Sequence, residues 1–323
     1  MSLTGGRADR EPSLTAEFGI IERLRSRLAG PVDQTWVGDD VAVVPGPTGR
    51  LLLAADATVA GVHADLSLVG VDDMGWKSLV ANLSDIAAVG GRPSYALVTL
   101  AGPLGAIDVD LLYDGIIAAS EAYGCPVVGG DLSDAPTLVV AVTVAGDGGG
   151  DDPPPVLRSG ARPGDALWVT GPLGSSAAGL ALLRADRAGE APDLALAHRR
   201  PRPRLAEGAA ARVAGATAMI DVSDGLAADV THLAESSRVG VVLDRVPVAI
   251  GVSRVSDTPE DLALGGGEDY ELVFAAPDAA PVEDVFAAAG LAVPLRLGRC
   301  TADAGERRLG DGVLPAGGWE HAW

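Results

Sequence analysis

The chain has 323 residues, 48% apolar and 21% charged, enough for two ordinary domains with a core each, which excludes a small disulfide-stapled scaffold. With 44 Asp and Glu against 24 Lys and Arg the net charge is −20, so no basic footprint exists for nucleic acid or an anionic membrane surface. Cys125 and Cys300 stand far apart with no CxxC, which gives neither a disulfide framework nor a zinc site, and Lys77 is the only lysine.

Residues 1–12 are small and polar and read as a disordered N-terminus without the apolar core of a secretory signal. Ser13 to Glu17 then offers a capped start for a helix over 18–28. Apolar runs at 41–44, 51–55, 95–101, 126–128 and 138–145, bounded by Gly, Pro or Asp, predict strands. Between them the spacing predicts two helices. The first, over 72–89, puts Trp76, Leu79, Val80, Leu83 and Ala87 on one face and Ser78, Asn82 and Asp85 on another. The second, over 108–123, starts at a capping Asp108.

The Gly- and Pro-rich stretch 147–155 reads as a linker, which gives an N-terminal domain over 13–146 and a C-terminal domain over 156–323. In the second, strands at 166–170, 217–222, 240–243, 271–275 and 292–297 alternate with helices at 174–185, 202–214, 225–236 and 281–290. The fold class is therefore α/β of the α+β type, with two mixed domains. The longest uncharged apolar stretch, Thr137 to Gly146, is half of the ~20 residues a spanning helix needs, so no membrane segment is expected and the chain reads as cytoplasmic.

The common nucleotide and hydrolase signatures are missing: no P-loop, GxSxG, HExxH or EF-hand loop occurs. Gly171 to Gly179 opens a helix after a strand and reads equally as an anion-binding turn or a tightly packed one. What remains is a series of aspartates beside glycines and turns: Asp39 and Asp40, Asp56, Asp85, Asp131, Asp221 and Asp224. Each alone is a turn or a cap; together they recur where strands are expected to end, where α/β proteins place ligands. Hard oxygen donors without sulfur suit Mg²⁺, and an acidic chain with one lysine that handled a nucleoside triphosphate would rely on Mg²⁺ and arginine to offset phosphate charge. Arg158, just after the linker, reads equally as the cation for this or as a surface arginine near a turn, while the run His198 to Arg204 reads as a solvated helix start more than as a phosphate-binding run. Gly265 to Leu272 delivers Glu268, Asp269 and Glu271 on a glycine-rich turn, for a cationic or amine-bearing ligand or as a bulged edge strand.

Seven of these segments, in order from Glu17 to Trp319, resemble the thiamine-monophosphate kinase family of the aminoimidazole-ribonucleotide-synthetase-like superfamily. They are Gly38-Asp39-Asp40, Lys77 through Asn82-Leu83-Ser84-Asp85 to Gly90, Gly129-Gly130-Asp131, Arg158-Ser159-Gly160-Ala161, Ser176 to Leu180, Asp221 to Gly225, and Gly266 to Leu272. The resemblance implies ATP-dependent phosphorylation of thiamine monophosphate to thiamine diphosphate by direct in-line transfer, without a phosphoenzyme. It implies Mg²⁺ ligands at Asp40, Asp56, Asp85, Asp131, Asp221 and Asp224, ATP contacts from Tyr123, Gly130, Asp131, Arg158 and Ser223, and substrate contacts from His63, Glu268 and Trp319. It also implies a homodimer paired through the N-terminal domains. Two departures stand out: Ala54 and Ala55 replace the Ser or Thr usual before the aspartate at 56, and the 147–155 linker is longer and richer in glycine. The alternatives are another ATP-dependent enzyme of the superfamily, such as an aminoimidazole ribonucleotide synthetase, or a catalytically silent nucleotide- and metal-binding relative.

Overall fold

The structure, a computed structural model, describes residues 17–37, 39–150 and 153–319. The expected disorder of 1–12, the helix cap at Ser13, and Gly38, Asp151, Asp152 and His321 lie outside the described residues. Helix α1 (Glu17–Arg27) lies against the N-terminal domain through Arg23, whose Nε meets Asp110 Oδ2 at 2.8 Å. The domain itself is built from β1 (Leu51–Val59), α2 (Val71–Ala88), β2 (Arg92–Gly102), α3 (Val109–Tyr123), β3 (Val127–Asp134) and β4 (Val139–Asp147). Its sheet runs β1-β4-β2-β3, antiparallel except for the β2–β3 pair.

Strand alternation decides which face is covered. Leu100, Val98, Val142 and Val140 point inward and are buried with the apolar faces of α2 and α3, whereas Leu53 and Leu97 point outward and are 69% and 45% exposed. The 41–44 run forms no strand; Val43 makes only an isolated bridge to Thr35.

After the linker come β5 (Ala166–Val169), α4 (Ser175–Arg184), α5 (Pro192–Arg199), α6 (Leu205–Val213), β6 (Ala218–Asp221), α7 (Leu226–Ser237), β7 (Gly240–Leu243), α8 (Pro259–Gly265), β8 (Leu272–Ala276), α9 (Val282–Ala288), β9 (Leu295–Thr301), β10 (Arg307–Leu309) and β11 (Gly312–Val313). They form a sheet in the order β11-β10-β7-β9-β5-β8-β6. Both faces of this sheet are covered, so β5, β6, β7 and β8 are buried along their whole length. Leu226, Val230 and Leu233 of α7 pack on one face, and Ala211 of α6 with Phe286 of α9 on the other, where Phe286 stacks on Phe274. The short helices α5 and α8 are absent from the sequence expectation because each is a brief run opened by a proline, Pro192 and Pro259.

Helix α2 belongs to both domains. Its first half crosses α3 so closely that a Cβ on Gly75 would stand 2.1 Å from Leu112 O, and one on Gly115 only 1.8 Å from Asp72 O. Its last turn meets α6, where a Cβ on Gly208 would lie 2.1 Å from Ala87 O. Backbone is the obstacle in each case, so a methyl group there must push helices apart. Gly115→Ala is expected to cost about 2–3 kcal/mol and lower the thermal midpoint by several degrees; an unchanged midpoint would show that the α2–α3 contact is dispensable.

Candidate active site

The candidate site lies where the two domains meet and is built on three segments: the C-terminal half of α2, the turn after β6, and the loop before β8. Asp221 ends β6 and is buried, and Ser84 Oγ on α2 donates to its Oδ2 at 2.6 Å. Asp85 is the next residue on α2. Its carboxyl is pushed up to about 7, first by burial and then by the charges of Asp221 and Asp56, with Arg158 acting in the opposite sense. Burial raises Asp221 as well, opposed by the Ser84 hydrogen bond and by Arg158. Asp56, Asp85, Asp221 and Arg158 are thus brought together, with Asp56 reaching them from the inner face of β1.

The turn after β6 is held from behind. Asp229 on α7 accepts from the backbone N–H of Asp224 at 3.1 Å and of Gly225 at 3.0 Å, and burial followed by the charges of Asp221 and Asp224 pushes its carboxyl up to about 8. In front, the 266–271 loop closes on the same turn: Glu268 N donates to Ser223 O at 2.9 Å and Tyr270 N to Val222 O at 2.9 Å. Gly267 is needed there, because a Cβ would stand 2.3 Å from Ser223 O. Glu268 and Tyr270 themselves adopt left-handed backbone, φ 64° and 51°, a strain of about 1 kcal/mol each that the surrounding bonds hold in place. Trp319 joins through its backbone N–H to Asp224 O at 3.0 Å, and the residue is 54% exposed.

Behind the loop, Lys77 Nζ of α2 lies 2.7 Å from Glu268 Oε1, and His198 Nδ1 lies 3.5 Å from Oε2 and 3.1 Å from Ser176 Oγ. His198 was expected on a solvated helix start; it is instead buried, and burial followed by Lys77, Arg184 and Arg199 depresses it to about 3, so the ring is neutral. The N-terminus of α4 does bind an anion, but an internal one: Asp269 accepts from Gly174 N at 2.6 Å and Ser176 N at 3.0 Å. Glu271 is likewise internal, bonded to Thr170 Oγ1 and ion-paired with Arg204.

The other expected residues stand on separate elements. Asp40 is exposed in the loop before β1. His63 follows β1 and accepts from Val59 N at 3.0 Å. Tyr123 ends α3 and meets Trp76 edge-on at 5.8 Å, near Arg202 and Arg204. Asp56 and Asp131 sit within β1 and β3 rather than at strand ends, and the register puts them on opposite faces: Asp56 aligns with the inward Val142 and Val98, Asp131 with the outward Thr99 and Ala141. Gly130 aligns with Val98, whose carbonyl would stand 1.8 Å from a Cβ there. Of the two alanines before Asp56, Ala54 packs against the core and Ala55 is exposed on the open face.

The donor set suits a hard divalent cation, since crowded carboxylates of raised pKa are what such an ion relieves. Among the described residues no three His, Cys, Asp or Glu side chains are arranged to hold an ion unaided. No helix among the described residues is long and apolar enough to cross a membrane.

Comparison with known proteins agrees with this architecture. Residues 38–147 match the family AIR synthase related protein, N-terminal domain, and residues 162–310 its C-terminal domain. A thiamine-monophosphate kinase of Aquifex aeolicus is 36% identical over 271 residues, covering 81% of this chain and 86% of its own. The crystal structure of thiamine-monophosphate kinase from Stenotrophomonas maltophilia K279a superposes with TM-score 0.81 at 32% identity, over 93% of this chain and 98% of that one. The structure of AaThiL complexed with AMPPCP and TMP gives TM-score 0.74 at 32% identity, over 98% of this chain and 100% of that one.

Because the folded-state value of His198 lies below the ordinary 6.5, the unfolded chain takes up a proton that the folded chain refuses. Stability from this group is full above pH 6.5 and is lost as pH falls toward 3. The difference in thermal midpoint between the parent and His198→Gln should therefore shrink as pH is lowered from about 7 to about 5; a constant difference would contradict neutral burial.

Proposed function

The chain belongs to the thiamine-monophosphate kinase family of AIR synthase related proteins, and from that premise we propose that it transfers the γ-phosphoryl group of ATP in line to the phosphate of thiamine monophosphate, giving thiamine diphosphate and ADP. The observation that carries the reading is the convergence of Asp56, Asp85 and Asp221 with Arg158 where the two domains meet. The reaction forms a bond from an acceptor phosphate oxygen to the γ-phosphorus and breaks the bond from that phosphorus to the bridging oxygen. A phosphate monoester is largely ionised at neutral pH, so no proton has to be removed from the nucleophile and no general base is required. The task is to bring two anions together, which is positioning and charge compensation.

Mg²⁺ on Asp40, Asp56, Asp85, Asp131, Asp221 and Asp224 would neutralise phosphate charge and template the transfer. Arg158 adds a fixed positive charge beside Asp85 and Asp221. Ser223 and Arg158, with Tyr123, Gly130 and Asp131, are assigned to ATP; Glu268, His63 and the exposed Trp319 are assigned to the thiamine moiety, whose rings can stack and whose amine can donate. The AaThiL structure, complexed with AMPPCP and TMP, supports the two-substrate reading.

We further propose that two copies pair through the open N-terminal sheet face. Leu53 and Leu97, 69% and 45% exposed, give that face an apolar character unusual for a solvated surface. Leu53→Glu with Leu97→Glu should convert a dimer to a monomer in sedimentation velocity; a monomeric parent would remove the assignment.

Incubation with ATP, Mg²⁺ and thiamine monophosphate should yield thiamine diphosphate and ADP in equal amounts, abolished by EDTA; ATP binding without product would overturn the activity. Asp221→Asn should lower kcat by about 100-fold or more. Asp131→Asn tests the residue on the opposite sheet face, and unchanged turnover would take it out of the ligand set.

A further inference from the structure

We propose that Lys77 is a positioning residue for substrate recognition: its buried ammonium fixes the Glu268 carboxylate at the candidate site, so that Glu268 meets thiamine monophosphate as a charge-balanced hydrogen-bond acceptor and not as a free anion. The proposal rests on the reading of Glu268 as a contact to thiamine monophosphate. Lys77 is the chain's only lysine. Its side chain is 3% exposed on α2, and among the described residues Glu268 is its one ionic partner, at 2.7 Å. The approach is oblique, an ion pair more than an aligned hydrogen bond.

Apart from His198 beside Oε2, the other contacts of Glu268 among the described residues fix its backbone. Its N–H is held by Ser223 O, φ is 64°, and Gly266 and Gly267 are packed where a Cβ would lie 2.3 Å from Leu262 O and from Ser223 O. The side chain is 27% exposed, so the carboxylate keeps some access to a ligand while Lys77 lies against Oε1 and His198 lies farther off, beside Oε2. His198 cannot replace the lysine: its Nδ1 is 3.5 Å from Oε2, and the ring is neutral in its buried setting. Without Lys77 the half-exposed carboxylate would be free to turn toward water, and the substrate would have to reorder it on binding.

The test measures steady-state kinetics in each substrate separately, together with thermal melts, for the parent, Lys77→Met, Glu268→Gln and the double variant. Lys77→Met should raise KM for thiamine monophosphate about tenfold and change KM for ATP less than about twofold. The double variant should be no worse than Glu268→Gln alone, because Lys77 acts through Glu268. A lowered midpoint with unchanged KM, a rise in KM for ATP instead, or effects that multiply in the double variant would each overturn the proposal. If Lys77→Met does not fold, the double variant, which buries no unpaired charge, is compared with Glu268→Gln: equal KM supports the assignment and a further rise refutes it. Parent turnover reports on the function itself, and the ratios between variants report on Lys77.

Discussion

The burial of α2 on both sides is the constraint from which the rest of the molecule follows. One side packs on α3 and the N-terminal sheet, and the last turn packs on α6 and the C-terminal core. Most polar groups on a helix covered in this way are cut off from water, and each buried one must find a partner or cost about 1–3 kcal/mol. Ser78 bonds back to Met74 O at 2.6 Å and Asn82 to Ser78 O at 3.1 Å, within the helix. Asp73, Lys77 and Ser84 instead reach outward, to Arg200, Glu268 and Asp221, all in the C-terminal half of the chain. The need to satisfy buried groups on one helix thereby fixes how the two domains face each other.

That docking creates the electrostatic character of the site. Once Ser84 ties α2 to the end of β6, Asp85 must stand beside Asp221, and neither carboxylate is well solvated. The fold stores repulsion there and offsets it through packing elsewhere. Asp229 adds a third carboxylate of raised pKa behind the same turn, yet it works by accepting two backbone N–H groups and so aims Ser223 and Asp224 forward. A site arranged in this way is short of positive charge: Arg158 supplies part of it, and under the proposed function Mg²⁺ would supply the rest.

Much of the scaffold was legible in the sequence because its signals are local. The apolar periodicity over 72–89 matches α2, Val71–Ala88, to within a residue, and Asp108 caps α3 as expected by accepting from Leu111 N. The split of α2 into an apolar and a polar face was readable, but not that both faces are buried, since that depends on α6 arriving from residues more than a hundred positions later. For the same reason His198 was misplaced: in the run His198 to Arg204 it sits among four arginines that suggest solvent, and only the approach of Lys77 and Glu268 shows that it faces inward. The acids of the 266–271 loop were recognised as a group, yet they divide by alternate direction. Glu268 pairs with Lys77 of α2, whereas Asp269 caps α4 and Glu271 pairs with Arg204. Asp56 and Asp131 are not strand ends because both strands continue past the carboxylate, through Ala57, Thr58 and Val59 in one and Leu132, Ser133 and Asp134 in the other.

The position of Asp131 shows how sheet register partitions chemistry. A one-residue offset relative to Asp56 sends its carboxylate through to the far side of the sheet, with Ser133 donating to it at 3.2 Å and the exposed Leu53 and Leu97 on the same face. The N-terminal sheet thus carries acid chemistry on both surfaces, one lined by α2 and the other open. An open face with this apolar and acidic mixture is poorly suited to bulk water and poorly suited to a purely apolar partner. Burying it against a second copy would desolvate Asp131 and favour a cation or a phosphate-bound metal beside it, so pairing of the sheets and charge neutralisation at Asp131 would reinforce each other.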